Sequence, residues 1–104
     1  MPFYKEQSGY IKTALSDLQG AWQILRKSVV EAHPFPESHR LLFHIDEGMS
    51  WENVRQLDNM HNILLLIRNI SAKVKVPDEI SQNIEIVAED LEEVFTAIKK
   101  GEVI

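Results

Sequence analysis

The chain has 104 residues and a mass of 12.0 kDa, which suits one domain and is short for two that each bury a core. An apolar share of 44% and a charged share of 26% are ordinary globular usage and argue against wholesale disorder, while the lack of cysteine excludes disulfides, iron–sulfur clusters, zinc knuckles and thiol nucleophiles. The net charge of −5 lies in the last quarter, where residues 77–104 hold eight acids against two Lys/Arg, and no basic cluster exists to bind nucleic acid or an anionic membrane surface.

The first element is read from apolar spacing. Ile11, Leu15, Leu18, Trp22, Leu25 and Val29 step by 4, 3, 4, 3, 4 and so share one side of a helix. The spacing predicts a helix over residues 5–32, roughly 40 Å long at 1.5 Å per residue. Pro34 and Pro36 stop it and restrict His33 and Phe35 before them. Inside it, Gly9 and Gly20 should each cost about 1 kcal/mol relative to Ala. Gly20 sits beside Ala21, and Ala14, Ala21 and Ser28 recur every seven residues beside the seam. Small residues on that line would let a second helix come close; the plainer reading is a small flank beside a larger core stripe.

Residues 33–50 read as a connector with a short helix of its own. Ser38 is its expected N-cap, Leu41, Leu42, Phe43 and Ile45 supply its apolar surface, and Gly48 is its expected stop. Ser50 should cap the next helix, over 51–74, with Glu52 in the first turn. Val54, Leu57, Met60, Leu64, Ile67 and Val74 keep helical period there, and Ile63, Leu66 and Ile70 widen the stripe. So broad a stripe suits the middle of a bundle or a subunit interface. The run Ile63-Leu64-Leu65-Leu66-Ile67 would also fit a buried strand, but its flanks keep helical period and no second strand candidate exists. Pro77 opens the last helix with Asp78 and Glu79 near its start, and Ile80, Ile84, Val87, Leu91, Val94 and Ile98 step by 4, 3, 4, 3, 4. Lys99 and Lys100 suit its C-terminal end and Gly101 ends it.

The expected architecture is a single all-α domain over 1–104. It is an antiparallel up-down bundle of three long helices plus one short connector helix, with the outer helices packed around the middle one. The first residues, MPFYKEQSGYIK, carry no apolar core of signal-peptide length, and the longest apolar run is too short for a bilayer core of about 30 Å. The expectation is a soluble, cytoplasmic protein that binds neither nucleic acid nor membrane.

Motifs for chemistry are few. No G-x-S-x-G elbow and no glycine-rich phosphate loop occurs. A metal site would draw on His39, His44, Glu47, Asp58 and His61. The pairs His44/Glu47 and Asp58/His61 are three apart and share a helix face. Di-metal bundles instead use Glu-x-x-His on two helices with inward Glu on two others, and that pattern is incomplete here, so no metal or cofactor is expected. A second possibility is histidine phosphotransfer through His61, which lies beside the apolar stripe of the middle helix; the plainer reading is a boundary histidine.

Two surfaces suggest binding instead. Glu85, Glu89, Glu92 and Glu93 lie on the side of the last helix away from its seam, with Asp90 nearby. They would keep the bundle soluble or dock a partner with a basic surface. Phe35, Phe43 and Trp51 cluster around the connector, either as lids on the core or as an aromatic anchor for a partner. Three helices with broad stripes would bury them incompletely, so a homodimer is expected. The leading expectation is a small non-catalytic module for protein binding or regulation.

Overall fold

In the computed structural model, residues 14–53 and 56–101 are described. They form four helices: α1 Ala14–Ala32, α2 Ser38–Asn53, α3 Leu57–Lys73 and α4 Asp78–Lys99. No strand occurs among the described residues, and the ILLLI run lies within α3. The all-α bundle expected from apolar spacing is the fold found. Ile11, Val54 and residues 5–13 of the predicted first helix lie outside the described residues.

The helices alternate in direction. α1 lies antiparallel to α4, since Ala14 adjoins Ala97 and Ile24 adjoins Ile86. α3 lies antiparallel to α4, with His61 beside Phe95 and Arg68 beside Glu85. α1 packs most extensively on α4, and α2 on α3; α3 and α4 touch sparingly, and α1 and α3 stand diagonally. The middle helix is therefore not the hub. Its broad stripe divides: Leu64 and Ile67 point into the core, while Leu65 and Leu66 face outward. The two pairs bury the described residues of the predicted seams within one chain except Ile98, which stands exposed at the end of α4. Leu18, Trp22, Leu25 and Val29 of α1 meet Ile80, Ile84, Val87, Leu91 and Val94 of α4 in a single core with Leu41, Ile45, Met60, Leu64 and Ile67.

The connector departs most from expectation. Gly48 does not stop α2, which runs on to Asn53. Its role is close approach: a Cβ there would lie 2.7 Å from Cη2 of Trp22, which is only 1% exposed. The indole of Trp22 crosses the core and its Nε1–H donates to Sδ of Met60 at 3.2 Å. A buried indole N–H needs such a partner, even a weak thioether acceptor. Ser50 does not cap a new helix; its hydroxyl donates back to the Glu47 carbonyl at 2.7 Å. α3 starts later, after Gln56, whose carbonyl accepts from the Met60 N–H at 3.1 Å.

The α1–α2 turn is closed by Ser38, though not as an N-cap. Its hydroxyl accepts from the Phe35 N–H at 3.3 Å and lies 2.7 Å from Nδ1 of His33. The capping carbonyl belongs to Glu37, which accepts from the Leu41 N–H at 3.0 Å and takes a left-handed backbone with φ 69°. At the other end of the chain, α4 ends as predicted, with Gly101 at φ 75°. Asn83, on the α4 face that also carries Asp90 and Ala97, is buried with no hydrogen-bond partner for Nδ2. An orphaned amide of this kind costs about 1–3 kcal/mol.

Candidate functional site

The histidines do not come together. His39 and His44 lie on α2 and His61 on α3. His39 is exposed, its ring edge-on to His33 at 4.6 Å between centroids. His44 Nδ1 stands 3.1 Å from the Glu47 carboxylate, so the predicted i, i+3 pair forms, but as a local contact on one helix. Asp58 is exposed, and His61 packs edge-on against Phe95 of α4 at 6.2 Å. Among the described residues, no three His, Asp or Glu side chains converge on a point where a metal ion could sit. His61 is thus a half-buried ring at the α3–α4 boundary, roughly perpendicular to the ring of Phe95 beside it.

The connector aromatics separate into two kinds. Phe35 and Trp51 pack on the core as lids. Phe43 points outward and is 65% exposed, away from the buried Leu41 and Ile45 of α2, with the ring of His44 edge-on at 5.3 Å. No family model, curated protein or solved structure matches this chain.

The acidic strip is on the surface. Glu85, Glu89, Glu92 and Glu93 are all exposed. Glu85 accepts from the Arg68 guanidinium at 3.2 Å, so the α3 end of the strip is partly neutralised. Glu89, Glu92 and Glu93 form no ion pair with another described residue. A second ion pair joins α1 to α2, where Arg26 Nε donates to Asp46 at 2.7 Å. That hydrogen bond, with the carboxylate charge behind it, raises the Arg26 pKa above its ordinary value.

A surface feature foreseen only through its small residues Ala14, Gly20 and Ala21 lies between α1 and α4. There an open depression of about 360 Å³ is floored by Gly20 and Ala21 and flanked by Ile24 and Ile86. These isoleucines are 59% and 46% exposed. Next to it along the same helix pair lies a second depression of about 330 Å³ beside Ala14, Glu92, Glu93, Thr96 and Ala97. The available signal was an apolar residue off the seam: Ile24 and Ile86 each fall outside the 3–4 stepping of their helix. No helix among the described residues is long and apolar enough to cross a membrane.

Proposed function

We propose that this chain is a non-catalytic module that works by binding another protein on its helix surfaces. The observation that carries the reading is the position of its large apolar side chains. The core closes within one chain, yet Ile24, Phe43, Leu65, Leu66 and Ile86 still stand exposed on outward faces. Scattered single residues need no explanation, but Ile24 and Ile86 meet across one depression. The acidic strip alongside adds charge selectivity and faster encounter. A homodimer, expected from incompletely covered stripes, keeps part of its motive, since Leu66 and Ile98 of those stripes stand exposed, but the acids beside the depression suit a different partner better.

The test is capture from the native cells with tagged wild-type protein, compared with Ile24→Ser/Ile86→Ser and with Phe43→Ser. A polypeptide held by the wild type and lost from one of these variants, with unchanged thermal unfolding, supports the reading. Identical captures by all three proteins, or phosphate label on His61 from a phosphodonor extract that disappears in His61→Ala, would overturn it.

A further inference from the structure

We infer that the groove between α1 and α4 receives a basic amphipathic helix of a partner protein. This deepens the protein-binding reading and rests on it. The two depressions lie end to end along one helix pair, from Ala14 beside Ala97 to Ile24 beside Ile86. On α1 that span is about 15 Å at 1.5 Å per residue, the length of about three turns of a docked helix. Its floor is low. Ala21 is buried, and no described residue stands within 4 Å of where a Cβ on Gly20 would lie, so another backbone can come close there. Ile24 and Ile86 offer apolar walls to an anchor side chain between them.

Charge selects the occupant. Among the described residues, those lining the two depressions include the exposed Glu92 and Glu93, with Asp17 and Asp90 already engaged in contacts of their own, and no Lys or Arg. A second copy of this chain, seated isologously, would bring one acidic patch against the other, and like charges across an interface oppose each other. A helix with apolar teeth and flanking Lys or Arg would instead set opposite charge against Glu92 and Glu93. Glu89 and Glu93 are one turn apart, so a single basic stripe can reach both.

The experiment titrates the isotope-labelled full chain with two synthetic helical peptides of identical leucine pattern, one filled with Lys/Arg and the other with Glu. The expected result is binding of the basic peptide alone, with amide shifts concentrated at Gly20, Ala21, Ile24, Ile86 and Glu93. Affinity should fall at least tenfold between about 50 and 300 mM salt, since the groove is open to screening. Ile24→Ser/Ile86→Ser and Glu89→Lys/Glu93→Lys should each weaken binding by about tenfold with unfolding unchanged, while Leu65→Ser should not. Equal binding of the acidic peptide, shifts centred on Phe43 or Leu65, or no binding at all would overturn the inference. So would a species of twice the chain mass that Ile24→Ser/Ile86→Ser abolishes, because the occupant would then be a second copy. A cellular partner lost only from Phe43→Ser would keep the binding reading and remove the groove.

Discussion

Gly20 and Gly48 both sit inside a helix, where glycine costs about 1 kcal/mol relative to alanine. Their surroundings are opposite. Gly48 faces inward, and the ring of Trp22 lies where its Cβ would be, 2.7 Å from Cη2. Gly20 faces outward, and a Cβ there would meet no described residue within 4 Å. At the first site the propensity cost is offset inside the chain, because losing the Cβ lets a tryptophan fill the space between helices. At the second, no internal contact offsets it. The contrast separates a glycine required by packing from one whose only neighbour is open space above the groove.

The largest effect should come from Gly48→Ala. Two effects oppose: alanine gains about 1 kcal/mol of helix propensity, and the methyl overpacks the site at about 1–3 kcal/mol. The clash should win. Trp22 is almost fully buried, and its Nε1–H is tied to Met60, so the ring has little freedom to retreat. A net loss of about 1–2 kcal/mol is expected in urea unfolding, lowering Tm by about 4 °C or more. In a Trp22→Leu background the same substitution should become neutral or stabilising, and this double-mutant cycle is the sharper test. If Gly48→Ala costs the same in both backgrounds, the glycine has some other role.

This site also shows how far the sequence could be read. The 3–4 steps of α1 and α4 made both seams and the bundle legible, because burial repeats with the helical turn. The same logic failed at Gly48, where a glycine signals either a helix end or a close approach. Only the position of Trp22, 26 residues earlier in the chain, decides between them. Ser50 failed likewise: a serine hydroxyl bonds backwards within a helix as readily as it caps a new one. For the candidate site, the exposure of Glu89, Glu92 and Glu93 followed from their distance from the seam. The split among Phe35, Phe43 and Trp51 did not, since which aromatic covers the core depends on how the connector folds over it. Ile24 and Ile86 lie far apart in sequence, and only the antiparallel register of α1 and α4 brings them to one groove.

Between the two glycines in expected size lies Asn83, on the α4 face shared with Asp90 and Ala97. Its Nδ2 is buried and unpartnered. Replacing it with leucine, which has a similar branched shape, removes the orphaned donor and adds apolar burial. Stability should rise by about 1–2 kcal/mol, read as a higher urea midpoint with an unchanged slope. A fall instead would mean that the amide has a partner in solution, and the α1–α4 seam would then be less uniformly apolar than the α1–α2 contact around Trp22.

Gly20→Ala should give the smallest change, and its sign matters most. With open space above the position and helical backbone on both sides, alanine should raise stability by up to about 1 kcal/mol. Its methyl would also raise the groove floor where a docked backbone comes nearest. Stability and docking should therefore move in opposite directions at this one residue. Gly20→Leu makes the division clearer: leucine keeps good helix propensity while its side chain fills the depression beside Ile24, so unfolding should hold steady as peptide affinity falls about tenfold. At Gly48 the analogous substitution should damage folding first. A glycine that can be replaced with no loss to the fold, yet not without loss of binding, would mark the α1–α4 groove as the surface on which the chain acts.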